Sequence, residues 1–267
     1  MKKYLELIKT SIKIDIHYAK AFVMSLVIFP LFFLVNIALY TSIYKYGNID
    51  TIQGYSLKQI TWYYVAVYFV RIFNSDFTHY RISEKIMSGD LTNDLLRPIT
   101  YFRLELMATI ANRLVGVGFE LIPAFVIFSL IDIPNFLSFF SLTKFFIVAI
   151  ASLGLMFLLH YLIGLSAFYL KNNRFFLYIE YFACMFLGGA FVPLEFFPSW
   201  VRTILNFLPF KYVFYWPVQF FLNKEATQGL APFLQIFAMQ ALWMIMLYIS
   251  IKIFWKFAFR KFCAVGG

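Results

Sequence analysis

Residues 145–170 read FFIVAIASLGLMFLLHYLIGLSAFYL, a run without a single Asp, Glu, Lys or Arg. A helix needs about 20 predominantly apolar residues to cross the hydrocarbon core of a bilayer. Residues 21–44 and 226–251 are equally free of these four charged residue types. The three stretches predict a protein that crosses a membrane several times.

The composition of the whole chain agrees with this prediction. Of 267 residues, 62% are hydrophobic and 13% are charged, whereas soluble domains have about 45–50% apolar and about 25% charged residues. This balance excludes a soluble globular enzyme, a secreted disulfide scaffold, a disordered regulator and a nucleic-acid-binding domain. The net charge of +10 is therefore expected to orient the chain and to meet anionic lipid headgroups.

Six membrane-spanning helices are predicted, which makes the expected fold class an all-α integral membrane protein. Their ranges are 21–44, 60–80, 106–130, 145–170, 175–191 and 232–255. Apart from Lys252 near the end of the sixth, isolated charges occur in three of them: the second has Arg71 and Asp76, the third Arg113 and Glu120, and the fifth Glu180.

The basic residues predict the orientation. With both termini in the cytoplasm, 14 of the 23 Lys and Arg residues fall in inner segments, 6 in outer segments and 3 within spans. The opposite orientation would reverse the bias of the positive-inside rule. Residues 1–20 place apolar side chains along one helical stripe beside four lysines, which predicts an amphipathic helix in the inner headgroup layer. A plain cytoplasmic lead-in is the alternative.

The main predicted cytoplasmic loop covers residues 81–103. Gly89 can end one short helix and Pro98 can stop a second. The second helix would present Leu91, Leu95 and Leu96 on one side. An apolar face on such a loop has to be covered by the protein's own spans or by a partner.

The longest predicted outer segment covers residues 192–231. It contains four prolines and many aromatic residues, and aromatic rings favour the headgroup level of a bilayer. We interpret it as a re-entrant or interfacial helical hairpin. Gly188 and Gly189 just before it would let the fifth helix break or let another helix approach closely.

The charges inside the spans are expected to pair. Spans two and three run antiparallel, so residues at equal depth have a constant sum of residue numbers. By this criterion Arg71 lies level with Glu120, and Asp76 lies level with Arg113. Two interhelical ion pairs are therefore predicted, the alternative being that each charge snorkels or faces a water-filled cavity. We expect these pairs to be structural, because no chain of carboxylates or histidines for a proton relay is evident.

No motif indicates catalysis. The three histidines are His17, His79 and His160, and we interpret His160 as a satisfied core histidine rather than a lone catalytic base. The sequence contains no H-E-x-x-H, G-x-S-x-G or G-x-x-x-x-G-K-[ST] pattern. We expect the chain not to be an enzyme, to hold no cofactor or metal, and to draw any energy from another polypeptide or an ion gradient.

Two segments carry a family resemblance. Residues 84–98, EKIMSGDLTNDLLRP, resemble the coupling-helix loop of ABC transporter permeases of the type-2 exporter superfamily. Residues 186–200, FLGGAFVPLEFFPSW, followed by LPF at 208–210, look like the external re-entrant hairpin of the same superfamily. With six spans and cytoplasmic termini, the likeness covers essentially the whole chain and is greatest for the short-looped bacterial permeases.

The resemblance implies a permease that forms half of an export pathway in the bacterial plasma membrane. Its partners would be a second permease copy or paralogue and a cytoplasmic ABC ATPase dimer, which would bind the ATP and Mg²⁺. The residues implied in coupling are Glu84, Ile86, Gly89, Leu91, Leu95, Leu96 and Pro98. Those implied in the external hairpin are Gly188, Gly189, Pro193, Glu195, Pro198 and Trp200.

Two other functions are consistent with the sequence. A secondary transporter driven by an ion gradient is one alternative, although we find no inverted repeat of the kind that is common in that class. A membrane scaffold that binds another protein through the same loop is the other. The aromatic character of the predicted pathway suits a lipophilic or amphiphilic cargo.

Overall fold

The computed structural model describes residues 6, 9, 10, 12, 13, 20–131, 134–170 and 173–258. The predicted interfacial helix over residues 1–20 therefore lies almost wholly outside the described residues.

The described chain is almost entirely helical. Its helices, in chain order, are α1 Lys20–Gly47, α2 Leu57–Asn74, α3 Thr78–Ser88, α4 Leu91–Leu95, α5 Tyr101–Gly116, α6 Ile122–Ile131, α7 Phe139–Gly164, α8 Arg174–Leu187, α9 Ser199–Leu205, α10 Tyr215–Phe221 and α11 Ala231–Ala258. A π-helical turn, Val117–Leu121, joins α5 to α6. Short 3₁₀ turns occupy Leu165–Phe168, Leu194–Phe196, Phe210–Tyr212 and Glu225–Thr227.

One small β-hairpin interrupts the helical pattern. Strands β1 (Thr51–Ile52) and β2 (Tyr55–Ser56) pair antiparallel, with Thr51 opposite Ser56. Gln53 and Gly54 form the turn with positive φ angles of 48° and 80°, which is the backbone that a two-residue hairpin loop requires. The expected all-α fold is thus correct for nearly all of the described chain.

Three helices are long and apolar enough to cross a membrane, among the residues that the structure describes. They are Tyr101–Phe128, Phe139–Phe168 and Ala231–Ala258. They correspond to the third, fourth and sixth predicted spans, and the total of six spans stays a prediction.

The predicted second span, 60–80, is divided between two helices. α2 ends at Asn74, and α3 begins at Thr78. The division has a local cause, because the carboxylate of Asp76 accepts hydrogen bonds from the backbone N–H of Thr78 at 3.0 Å and from its hydroxyl at 2.7 Å. These bonds compete with the helical pattern. The expectation of one continuous helix over this range is therefore wrong.

Helix α7 lies at the centre of the fold. It packs against α2, α3, α8, α10 and α11, and its residues Phe145, Val148 and Leu155 are fully buried. Gly164 at its end permits the closest approach, since an added Cβ would lie 2.9 Å from the Cβ of Ile82 on α3.

The bundle has two opposite ends: a hairpin end, which carries the β1–β2 hairpin, and a loop end, which carries residues 81–103. Hydrogen bonds hold segments together at both ends. At the hairpin end, the ammonium of Lys144 donates to the carbonyl of Gly229 at 2.5 Å, and that of Lys224 donates to the carbonyl of Gly54 at 2.7 Å. At the loop end, where residues 81–103 lie, the amide of Asn173 donates to the hydroxyl of Ser83 at 2.7 Å.

Candidate functional site

The loop 81–103 contains two helices joined through a glycine. Gly89 follows α3 with a φ of 82°, a left-handed conformation that glycine adopts without steric cost. Helix α4 then runs over Leu91–Leu95. The predicted glycine stop and short second helix are confirmed, with the second helix ending one residue before Leu96.

A network of ion pairs joins this loop to α5. The ammonium of Lys85 lies 2.7 Å from Asp94 Oδ2 and 3.0 Å from Glu105 Oε1, and the Nε of Arg81 lies 3.0 Å from Glu105 Oε2. The Glu105 side chain is only 2% exposed, whereas those of Arg81 and Lys85 are 33% and 31% exposed. The network therefore holds the loop in place from its buried side, while Arg81 and Lys85 remain partly exposed.

Electrostatics keep Lys85 charged within this network. Burial acts to lower the pKa of Lys85, but the carboxylates of Glu105 and Asp94 act more strongly and raise it above the ordinary value of 10.5. A charged Lys85 stabilises α3, α4 and α5 against one another through two carboxylates at once.

The leucines of the loop are divided between the interior and the surface. Leu91 is fully buried in the protein's own core, Leu95 is partly buried against that core, and Leu96 is 81% exposed. The expectation that a partner buries Leu91 is therefore wrong, because other helices of this chain already cover it. Of the residues implied in coupling, Glu84, Leu96 and Pro98 are exposed, and Ile86 and Gly89 are partly buried. The exposed surface of the loop also includes Met87, Ser88, Asp90, Asn93 and Arg97.

The break between α2 and α3 places Asp76 among three helices. Its Oδ1 accepts a hydrogen bond from the hydroxyl of Thr109 on α5 at 3.2 Å and lies 3.6 Å from Nη2 of Arg81 on α3. Its Oδ2 lies 3.2 Å from Nδ1 of His160 on α7. Asp76 is 5% exposed, so these contacts lie in the interior.

His160 belongs to a buried cluster of titratable side chains. Its Nε2 lies 3.3 Å from Oε1 of Glu180 on α8, and its ring centroid lies 4.0 Å from that of His79. The expectation that no chain of carboxylates and histidines exists is therefore wrong. The members come from different helices, so no local motif announces the cluster. One ligand atom from each of His79, His160 and Glu180 lies within 4.8 Å of the others, a spacing at which the three could hold a metal ion.

A cavity of about 400 Å³ adjoins this cluster. It lies between the broken end of α2, the start of α3 and one face of α8. The residues that line it include Arg71, Asp76, His79, Tyr80, His160, Tyr178, Tyr181, Phe182 and Met185. Most of the lining is aromatic or aliphatic, with the titratable cluster in one part of the wall, which is the usual character of a small-molecule site.

The two predicted interhelical ion pairs stay predictions. Arg71 and Glu120 both interact electrostatically with Tyr68 on α2, so they lie in the same neighbourhood. Arg113 donates from Nη1 to the carbonyl of Ile72 at 2.7 Å. The contacts of Asp76 with Arg81 and His160 give that carboxylate partners that the sum of residue numbers did not predict.

Glu195 forms the polar centre of the hairpin end. Its Oε1 accepts hydrogen bonds from the hydroxyl of Tyr55 at 3.0 Å and from the hydroxyl of Tyr215 at 2.8 Å. The amide of Gln219 donates to the same oxygen at 3.3 Å and to Tyr55 Oη at 2.6 Å. Burial and the nearby Glu195 carboxylate raise the pKa of both tyrosines, so their hydroxyls remain protonated donors.

The two glycines before the hairpin permit tight packing. An added Cβ on Gly188 would lie 2.1 Å from the carbonyl oxygen of Cys184, and Gly189 has a φ of 86°. The carbonyl of Gly189 accepts a hydrogen bond from the Tyr63 hydroxyl on α2. A Cβ on Gly189 would lie 3.1 Å from the Tyr63 hydroxyl oxygen, so a larger residue there would disturb this contact. The remaining predicted hairpin residues are Pro193, which precedes a 3₁₀ turn, Pro198, which precedes α9, and Trp200, which is 66% exposed.

Comparison with known families identifies the chain. A family model described as ABC-2 family transporter protein matches residues 30–266. The chain belongs to the ABC-2 transporter family. The match includes the loop, the buried cluster and the hairpin end, and it confirms the resemblance that the two sequence segments carry. This ABC-2 family member is accordingly a membrane protein of the permease type. No curated protein matches the sequence.

Sequence reasoning missed Glu105 and the cluster around His160. Glu105 lies outside the predicted spans, where a carboxylate attracts no attention. Asp76 and His160 are 84 positions apart, so only the packing of α3 against α7 shows that they meet. The available signal was His160 itself, a polar residue in a charge-free span.

Proposed function

We propose that this ABC-2 family member is the permease subunit of an ATP-driven exporter, and that residues 81–103 couple it to a separate ATPase subunit. The observation that carries the proposal is the exposed surface of the loop, formed by Glu84, Met87 and Leu96. Leu96 directly follows α4, which the Lys85 network holds in place through Asp94, and it projects apolar surface from that position. An exposed leucine next to a helix held in this way is suited to insertion into a partner's cleft.

The Lys85 network supports a role in coupling. A partner can shift a conformational equilibrium only if its contacts differ between the two states. Because Asp94 and Glu105 link α4 through Lys85 to α5, a displacement of α4 is transmitted to a long helix of the bundle. Arg81, which contacts both Glu105 and Asp76, extends the same connection to the cavity.

The proposal extends to the assembly. Two permease copies, identical or paralogous, would form the pathway in a bacterial plasma membrane with the termini in the cytoplasm. The exposed apolar side chains Leu31, Leu34 and Val35 on α1 and Phe182 on α8 supply surfaces for lipid or for the second copy. The mostly apolar cavity supports an amphiphilic cargo.

The coupling role can be tested with one charge substitution and a matched control. Leu96→Asp places a charge on the proposed contact, whereas Leu230→Asp alters another leucine, 65% exposed, at the hairpin end. Burial of a leucine contributes about 1.5–3 kcal/mol, so Leu96→Asp should weaken association with the ATPase about 10- to 100-fold. Leu230→Asp should leave it unchanged.

The measurement is ATP hydrolysis by the complex in liposomes, reconstituted with an ABC ATPase subunit that co-purifies with the permease. Permease-dependent hydrolysis should fall in Leu96→Asp and persist in Leu230→Asp. Undiminished hydrolysis in the Leu96→Asp complex, with normal assembly, would overturn the proposal.

One observation favours a secondary transporter as the second candidate. The buried contacts of His160 with Asp76 and Glu180 resemble the carboxylate and histidine chains of proton relays. That function requires cargo movement driven by a proton gradient without ATP. Proton-driven transport in liposomes that contain the permease alone would support the secondary transporter.

A further inference from the structure

Three helices bring metal-ligating side chains to one point beside the cavity. His79 lies on α3, His160 on α7 and Glu180 on α8, and all three are buried. Their ligand atoms lie within 4.8 Å of one another. Imidazole nitrogens with a carboxylate oxygen form a donor set that transition metals such as zinc prefer, whereas Mg²⁺ and Ca²⁺ prefer oxygen ligands.

Two polar atoms of this group have no hydrogen-bond partner among the residues that the structure describes. They are Nδ1 of His79 and Oε2 of Glu180. A buried polar atom without a partner costs about 1–3 kcal/mol, and more when the group is charged. A cation placed between the two side chains would satisfy both atoms at once.

The geometry around His160 is that of a metal ligand with its supporting carboxylate. Metal-bound histidines usually donate their second ring N–H to a carboxylate or carbonyl, which fixes the ring. Nδ1 of His160 lies 3.2 Å from Asp76 Oδ2, which leaves Nε2 directed towards Glu180.

One distance has the length expected between two ligands of the same ion. Nε2 of His160 and Oε1 of Glu180 are 3.3 Å apart, which is longer than the 2.7–2.9 Å of a charge-assisted hydrogen bond. Two ligands that each bond Zn²⁺ at about 2.0–2.1 Å in tetrahedral geometry are separated by about 3.3–3.4 Å. The pair therefore already has the spacing of one edge of a zinc tetrahedron.

We propose that His79, His160 and Glu180 bind a divalent transition-metal ion of the Zn²⁺ type, with Asp76 as the residue that positions His160. The cavity provides the entry path and room for a water molecule at the fourth position. A bound ion ties α3, which carries the loop, to α7 and α8. The proposal does not depend on the coupling role of residues 81–103.

Metal titration of the intact chain in lipid nanodiscs tests the proposal. After chelator treatment, the wild-type protein should bind one Zn²⁺ per chain by calorimetry. Co²⁺ in its place should give the intense visible absorption of a tetrahedral site. Glu180→Gln and His79→Gln should each weaken binding on the order of 100-fold, because each removes one of three protein ligands.

Asp76→Asn tests whether Asp76 positions His160 without binding the metal itself. Loss of an outer carboxylate usually weakens metal binding about 10- to 100-fold, so the Co²⁺ spectrum should keep its tetrahedral form at higher metal concentration. Glu195→Gln is the control, since it alters a partly buried carboxylate at the hairpin end and should leave affinity unchanged.

The wild-type result alone can overturn the proposal, even if a variant fails to fold. No Zn²⁺ binding at micromolar free metal, or an octahedral Co²⁺ spectrum, would mean that no such site exists. The cluster would then be a protonated His160 held between two carboxylates. Binding that survives both Glu180→Gln and His79→Gln in folded protein would place the metal elsewhere and would also refute the site.

Discussion

The two ends of the molecule bury carboxylates in opposite ways. At the hairpin end, Glu195 is met by the neutral hydroxyls of Tyr55 and Tyr215. At the loop end, Glu105 is met by two cations, Arg81 and Lys85. Glu105 is buried and Glu195 is partly buried, and both join segments that are distant in the sequence.

The difference indicates that the polar contacts at the hairpin end are fixed, whereas those at the loop end can rearrange. Hydrogen bonds that uncharged hydroxyls donate to a partly buried carboxylate contain no cation that could exchange its partner, and we expect salt to affect them little. Ion pairs whose cations are about one third exposed are screened by salt and can exchange partners with water or another protein. The hairpin end therefore has the more rigid polar core, and the end with exchangeable pairs is the one that we propose to contact an ATPase.

Removal of the carboxylate at the hairpin end should have the largest effect on stability. Glu195→Ala leaves the buried Tyr55 hydroxyl, the partly buried Tyr215 hydroxyl and the Gln219 amide without their shared acceptor. Hydrogen bonds to charged groups contribute about 1.5–3 kcal/mol, so we expect a loss of about 3 kcal/mol in the free energy of unfolding, measured by denaturant titration in detergent.

Glu195→Gln is the control for that prediction, because it retains an acceptor oxygen of similar shape. Its loss should be less than half that of Glu195→Ala. Equal losses would mean that the negative charge, and not the acceptor, stabilises the hairpin end, which would remove the contrast between the two ends.

Removal of the carboxylate charge at the loop end should cost less. Glu105→Gln leaves Arg81 and Lys85 without a shared counter-charge, but both cations can be partly hydrated. We expect a loss of about 2 kcal/mol, and the difference from wild type should shrink as salt is raised.

Glu84→Gln is the matched control, since Glu84 is an exposed carboxylate on α3, the helix that carries Arg81 and Lys85. It should change stability by less than about 0.5 kcal/mol. A Glu105→Gln effect that is independent of salt would place this network in the same class as the hairpin end.

The close contact between α3 and α7 can be tested at Gly164. An added Cβ would lie 2.9 Å from Cβ of Ile82 and 3.2 Å from Cα of His79, so Gly164→Ala should push α3 away. Overpacking costs about 1–3 kcal/mol, detectable as a lower melting temperature. Gly118→Ala is the control, because an added Cβ there meets nothing within 4 Å. Equal melting temperatures for the two variants would contradict the close approach.

The sequence predicts the local features of this protein and misses most of the contacts between distant segments. The charge-free run at 145–170 indicates a long helix, and Gly89 indicates a helix stop, because both depend on neighbouring residues. The break at Asp76 was missed, although an aspartate two residues before a threonine is a local signal, because hydropathy alone favoured one continuous span.

The buried clusters could not be predicted in the same way. Glu105 meets Lys85 across 20 positions and Glu195 meets Tyr55 across 140, and no pattern in one sequence specifies either distance. The residue-sum argument used the correct principle for antiparallel helices. It assumed an unbroken second span, however, and Asp76 lies in the break between α2 and α3, where that depth relation does not apply.

The smallest expected effect is a pH dependence that belongs to the loop end through Lys85. Its pKa in the folded protein is raised above the ordinary 10.5, so the stabilisation is fully present below the unfolded-state pKa. It is lost as the pH rises through the higher folded value. The wild type should therefore lose more stability than Lys85→Met as the pH rises from about 9 to about 11. Lys45→Met, which alters an exposed lysine at the end of α1, should follow the wild-type curve. If Lys85→Met also followed that curve, the ion pairs of Lys85 would contribute nothing to stability, and the loop end would depend on Arg81 and apolar packing alone.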